Sequence, residues 1–274
     1  MYSNILLKIC HYLFRKFNKL LLNLELLCDS ILKYLFISWD IMKVLQKGFN
    51  YSQDGPGNRL VYHLQGCNFK CKWCSNPESM RIDYDGCKEY AVDEIVNEAV
   101  RSKMMFFDGG GVTFTGGEPT LQFEELRQIL KKLKEADIHT AIETNGSHPK
   151  LTELSEYIDF FIMDVKQPDD EIHKKYTGFS NKNTLQNLEL LTKSRQQLLV
   201  RIPLINNVNT DADKFVKLFS SMDMTNVKVE ILPYHEYGKC KWVEEYEIKD
   251  GFVSEEKLRE FTDKLKTVVN LIKT

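Results

Sequence analysis

The chain has 274 residues, 43% hydrophobic and 28% charged, which is enough apolar material for a substantial core in one α/β domain. Its net charge of -2 supplies no broad basic field, so bulk nucleic-acid binding is not expected. Seven cysteines, an odd number with three packed between positions 67 and 74, are unlike the even framework of a small secreted domain and point to a reducing cytoplasm.

Residues 1–41 differ from the rest of the chain: they lack Gly, Ala, Pro, Val and Thr and are dominated by Leu, Ile, Phe, Tyr, Lys and Asn. Lys8, Arg15, Lys16, Lys19, Glu25, Asp29 and Lys33 interrupt every stretch of about 20 residues that could span a membrane. A cleavable signal would need one short apolar block and a small-residue site, and neither is there. The stretch reads as an N-terminal extension translated in frame ahead of the working protein; an amphipathic surface helix is the other reading. The working domain is expected from Met42 to Thr274, without stable membrane association.

From Met42 the pattern becomes rhythmic. Apolar, β-rich runs occur at Leu60 to Leu64, Val112 to Thr115, Thr140 to Glu143, Phe160 to Val165, Leu198 to Ile205 and Val227 to Leu232. Helical patterns alternate with them at Ile95 to Val100, Leu121 to Lys134, Leu185 to Leu191, Ala212 to Phe219 and Leu258 to Val269. Between Leu121 and Lys134, for example, Leu126, Ile129, Leu130 and Leu133 share one face with charges opposite. Six strands alternating with helices imply parallel βα units with right-handed crossovers. A partial (β/α)6 barrel suits this order, with an open doubly wound sheet as competitor; either one builds its site at the carboxyl ends of the strands. Those ends carry the cysteine loop, Gly116-Gly117-Glu118, Glu143-Thr144-Asn145-Gly146, Asp164-Val165-Lys166 and Tyr234-His235.

Cys67, Cys71 and Cys74 have the spacing C-x3-C-x2-C. Three thiolates so close together suit a soft metal centre, either zinc or an iron-sulfur cluster. Structural zinc would want a fourth protein ligand, and His63 and Cys87 are the available donors. A [4Fe-4S] cluster on three cysteines instead leaves one iron open to an outside ligand. Cys10, Cys28, Cys87 and Cys240 are given no role.

The triple-cysteine loop with Trp73 before its last cysteine resembles the cluster motif of radical S-adenosylmethionine (SAM) enzymes. "DGPGNR" at 54–59, "GGGVTFTGGEP" at 109–119, "ETNG" at 143–146, "MDVKQ" at 163–167 and "PYHEYGKCKW" at 233–242 narrow it. Together they resemble the glycyl-radical-enzyme activating enzymes, above all the pyruvate formate-lyase activating type, from about Gly48 almost to the end. The resemblance implies a radical SAM partial barrel whose [4Fe-4S] cluster, held by Cys67, Cys71 and Cys74, reductively cleaves S-adenosylmethionine to methionine and a 5′-deoxyadenosyl radical. That radical takes a hydrogen atom from a glycine of a partner glycyl radical enzyme.

By the same resemblance Gly116, Gly117 and Glu118 hold the methionyl amino group, and Asp164 and Lys166 meet its carboxylate, partly through a monovalent cation that Glu143 also binds. Trp73 and His235 contact the cofactor, while Asp54 and Arg59 belong to a loop that helps receive the partner. Taken singly, Gly116-Gly117 is a turn after a strand and His235 a structural histidine; it is their occurrence together that carries the functional reading. Only about twenty residues part Cys74 from the next helix, so no ferredoxin-like insertion is expected, and flavodoxin or ferredoxin would deliver the electron. The setting is expected to be anaerobic and cytoplasmic. A small-molecule enzyme like 7-carboxy-7-deazaguanine synthase and a zinc-stabilised binding module are the other readings.

Overall fold

The computed structural model describes residues 40–272. The expected extension, with Cys10 and Cys28, lies outside them apart from Asp40 and Ile41. The compact unit beginning at Met42 is built on one nine-stranded sheet of order β3-β1-β2-β4-β5-β6-β7-β8-β9. Its strands are β1 (Ile41–Tyr51), β2 (Asn58–Leu64), β3 (Lys88–Ala91), β4 (Gly111–Gly116), β5 (Thr140–Thr144), β6 (Phe160–Asp164), β7 (Gln197–Leu204), β8 (Val227–Pro233) and β9 (Asn270–Ile272). The helices are α1 (Val92–Arg101), α2 (Phe123–Glu135), α3 (Asp170–Thr177), α4 (Lys182–Thr192), α5 (Ala212–Ser220) and α6 (Glu255–Leu265).

From β2 to β9 every neighbouring pair is parallel and follows chain order. A doubly wound sheet would reverse direction partway, so this order is that of a partial barrel. The six expected strands form close to their expected bounds. β1, β3 and β9 were not foreseen: β1 pairs antiparallel with β2, and β9 comes after a helix that ends at Leu265 rather than at Val269. The α3 helix was not foreseen either. Asp169 Oδ1 caps it, accepting from the amides of Glu171 and Ile172 at 3.1 and 3.0 Å, and Gly178 in the left-handed region ends it. Among the described residues no helix is long and apolar enough to cross a membrane.

Alternation along the parallel strands divides their side chains between two environments. Val112, Phe114, Ile142, Phe161, Met163, Leu198, Val200 and Ile202 pack outward with α2 residues Leu126, Ile129, Leu130 and Leu133. The alternate positions face inward. Ala141, Phe160, Ile162 and Leu199 form a small apolar layer there with Ile272 against it, and polar side chains lie nearer the carboxyl ends.

Arg59, expected in the loop that receives a partner, is the second residue of β2. This residue is fully buried, so its guanidinium cannot greet a partner. Nε donates to Thr113 Oγ1 at 2.6 Å and Nη2 to the Val112 carbonyl at 2.7 Å, while Nη1 reaches the Pro56 carbonyl at 3.1 Å. Arg59 is the post around which Asp54–Gly57 is wound. Arg59→Met, which keeps most of the volume and deletes every donor, is expected to lower unfolding stability by about 3 kcal/mol through stranded buried carbonyls; the shift in urea midpoint measures it.

Candidate functional site

The loop from Gly66 to Ser79 is fastened at both ends and in the middle. The Gly66 amide donates to the Ser79 carbonyl at 2.9 Å, while the Lys70 and Lys72 amides donate to the Thr177 and Tyr176 carbonyls at the end of α3. Its side chains bury themselves too: Phe69, Cys71 and Trp73 pack with Ile205, Val208, Tyr234 and Ile248, and Cys67 and Cys74 lie against this cluster. All three thiols therefore face one cavity of about 1000 Å³ at the carboxyl ends of the strands and within the sheet's curve.

Burial pushes the Cys67 thiol up to about 12 and raises those of Cys71 and Cys74 as well. Cys74 adds to the rise at Cys67, and Cys74 and Cys67 both add to the rise at Cys71. Three buried thiolates become tenable only when positive charge is bound between them, and binding then releases the protons. Among the described residues no three His, Cys, Asp or Glu side chains are gathered as a site for a single metal ion, although the three thiols share one cavity. The Asn76 amide lies 3.4 Å from Cys74 Sγ, a donor of the kind that tunes iron-sulfur ligands. The donor set thus fits a soft, all-thiolate centre.

Across the cavity, β4 ends in Gly116 with φ of 111°, and a Cβ on Gly117 would meet the Gly66 carbonyl at 2.0 Å. Only glycines let this rim lie flat against the cysteine loop, with backbone bared to the cavity. Glu118 does something other than expected. Its carboxylate is buried, and it accepts from Thr120 Oγ1 at 2.5 Å, Thr144 Oγ1 at 2.7 Å and the Asn145 amide at 2.7 Å. Its carboxylate is thus fixed by Thr120, Thr144 and Asn145 and is not among the residues that line the cavity.

Asp164 and Lys166 form an ion pair on the cavity wall. Burial works against the Lys166 charge, but Asp164 and the thiols of Cys71 and Cys67 outweigh it and hold the amine above its ordinary value. Trp73 packs against Tyr176, with ring centroids 6.3 Å apart. His235 lies exposed just past β8, stacked on Tyr237 at the cavity mouth. Asp54 lines the same cavity from the β1–β2 loop.

Glu143 has a partner that sequence reasoning missed. Arg201 on β7 donates to Glu143 Oε1 and Glu230 Oε2, both at 2.7 Å, and to the Gln53 carbonyl at 2.5 Å. Thr115 Oγ1 donates to the other Glu143 oxygen at 2.9 Å. One oxygen of the expected cation ligand is therefore already occupied by a fixed guanidinium. Burial raises Glu143, and Asp164 and Asp54 add to the effect despite Arg201. Asp54, Glu143, Asp164 and Glu230 line the cavity together with Lys166, Arg201 and Lys228, so its acidic groups outnumber its lysines and arginines by one. The available signal was an Arg and a Glu in "VRIPL" and "VKVEILP", charges at inward positions of otherwise apolar strands.

A second missed feature lies beyond β8. Trp242 Nε1 donates to the Cys74 carbonyl at 3.0 Å, and Lys241 reaches Asn76 Oδ1 at 2.8 Å and Glu78 Oε1 at 3.1 Å. Gly238 lies flat on Ser75, where a Cβ would stand 2.3 Å from the carbonyl oxygen. Residues 238–242 thus form a clamp over the Cys74 turn.

The radical SAM superfamily model matches residues 61–219. The chain is 33% identical to the 4-hydroxyphenylacetate decarboxylase activating enzyme of Clostridioides difficile strain CD196, over 77% of this chain and 88% of that protein. It is 39% identical to the pyruvate formate-lyase 1-activating enzyme of Escherichia coli strain K12, over 72% of this chain and 83% of that one. Among solved structures, a domain of pyruvate-formate lyase-activating enzyme from Bacteroides vulgatus aligns with a TM-score of 0.51 at 25% identity, covering 61% of this chain and 99% of that chain.

The clamp generates a prediction independent of turnover. Gly238→Ala drives a methyl group into Ser75, and iron affinity after anaerobic reconstitution is expected to fall roughly ten-fold or more, read as faster iron loss to a chelator.

Proposed function

This chain belongs to the radical SAM superfamily, within its group of glycyl-radical-enzyme activating enzymes, and on that premise we propose how its own residues generate a radical and pass it to a partner's glycine. Cys67, Cys71 and Cys74 would hold the [4Fe-4S] cluster. When bound, cluster and S-adenosylmethionine supply a one-electron cleavage that yields methionine and a 5′-deoxyadenosyl radical.

The remaining work belongs to the chain. Gly116 and Gly117 offer backbone to the methionyl amino group, and Glu118 holds them in place. Asp164 and Lys166 serve the methionyl carboxylate, with a monovalent cation nearby and Glu143 beside it. Trp73 and His235 flank the cofactor. Phe69, Tyr234 and Ile248 keep water from the thiols, and the inward apolar layer of Ala141, Phe160, Ile162 and Leu199 gives a partner's glycine a dry approach.

One observation carries this reading: the three thiols, the Gly116-Gly117 rim and the Asp164–Lys166 pair line a single cavity large enough for cofactor and peptide together. The partner is a glycyl radical enzyme, with Asp54 at the peptide's side of the cavity and Arg59 acting only through the loop it supports. Between Cys74 and α1 the described chain holds a short turn and β3, with Cys87 its lone cysteine. The electron therefore comes from outside, from a flavodoxin or ferredoxin, in an anaerobic cytoplasm.

The test is anaerobic reconstitution of the full chain with iron and sulfide, then addition of dithionite and S-adenosylmethionine. 5′-Deoxyadenosine is expected from the parent chain and not from Cys71→Ala, and a glycyl radical signal is expected when a target enzyme is added. Equimolar zinc with no iron after anaerobic purification would refute the reading.

A further inference from the structure

Among the described residues three buried polar side-chain atoms lack a hydrogen-bond partner: His63 Nδ1, Gln65 Oε1 and Glu78 Oε2. Only His63 among them lines the cavity. Buried polar groups in native folds are paired, so an exception asks what meets it in the working state. His63 sits on β2 opposite Thr115 of β4. Its neighbour Tyr62 faces the other way, where its hydroxyl donates to Glu98 on α1.

The other polar side chains at this depth are already committed: Thr115 to Glu143, Glu143 to Arg201, and Arg201 to Glu230. Beside these pairs His63 lines the cavity with its Nδ1 unpartnered. Burial lowers its pKa, with Asp54 raising it and Lys241 lowering it, so the ring is neutral near pH 7. A neutral imidazole offers one donor and one acceptor. A peptide group has the same pairing in mirror image, whereas the methionyl amino and carboxylate groups already have Gly116-Gly117 and the Asp164–Lys166 pair. An entering glycine loses its water and needs such a partner inside a dry cavity.

We infer that His63 is a substrate-binding residue, hydrogen-bonding the main chain of the glycine-bearing segment and so holding its Cα within reach of the radical. This rests on the proposed function. His63→Phe removes both nitrogens at similar bulk, and His63→Gln restores a donor and an acceptor.

The full reconstituted chain is assayed against a panel of glycyl radical enzymes of the formate-lyase, decarboxylase, diol-dehydratase and amine-lyase types. Glycyl radical is monitored by electron paramagnetic resonance, and deoxyadenosine is quantified in the same samples. With the responding target, His63→Phe is expected to raise the KM for that protein roughly ten-fold, as loss of one desolvated hydrogen bond would. It should also lower radical formed per deoxyadenosine released, leave the KM for S-adenosylmethionine and the iron content unchanged, and be largely rescued in His63→Gln. An S-adenosylmethionine KM that rises in step with the target's would assign His63 to the cofactor and overturn the inference. So would a target KM and coupling ratio that do not move. A parent chain that releases deoxyadenosine yet labels no member of the panel overturns the proposed function, and the role of His63 with it.

Discussion

The buried carboxylate of Glu118 is the joint on which the rim of this protein hangs. It gathers Thr120 after β4 with Thr144 and the Asn145 amide at the end of β5. Its own amide donates to the Gly66 carbonyl at 2.8 Å, which brings in the end of β2. Asn145 then passes the connection on, donating to Asn68 inside the cysteine loop at 2.9 Å. Three strand ends and the thiol-bearing loop are thereby joined through the side chain and amide of Glu118 and the side chain of Asn145. Burial raises the pKa of Glu118, and its three donors with the Thr120 amide as a fourth work against that rise, so the carboxylate is held by hydrogen bonds rather than by an opposite charge.

A second joint operates deeper in the cavity. Arg201 spans Glu143 on β5, Glu230 on β8 and the Gln53 carbonyl of the β1–β2 loop. A guanidinium suits this because its fork reaches several acceptors in one plane. The consequence is an interior whose charged layer is held by internal pairs, with His63 Nδ1 left unpartnered beside them, while the layer beneath is apolar. Radical chemistry benefits from both: fixed dipoles do not reorganise, and saturated side chains at a distance exclude solvent.

Much of this was legible in the sequence because the parallel strands alternate with amphipathic helices, and their polar punctuation falls at one end. The α3 helix was not legible. "DEIHKKYT" buries only His173 and Thr177, so it carries no apolar stripe, and its evidence lay in the caps at Asp169 and Gly178. Nor was β1, where Lys43 and Lys47 break the apolar run of a strand that lies between β3 and β2. The surroundings of single side chains were not legible where burial is decided by distant partners. Arg59 in a turn motif looks exposed until Val112 and Thr113 close over it. Glu118 next to two glycines looks free until Thr144 and Asn145 claim it.

The clamp of residues 238–242 joins parts of the chain made at very different times. The contact from Trp242 to Cys74 spans 168 residues, and that from Lys241 to Asn76 spans 165. The thiol loop is among the first pieces of the domain to leave the ribosome, yet its last fastening waits for nearly the whole chain. Such non-local closure comes late in folding. The fastening of the Cys74 turn is thus a closing event of synthesis, and a chain cut short before Gly238 would lack the contacts that hold that turn from above.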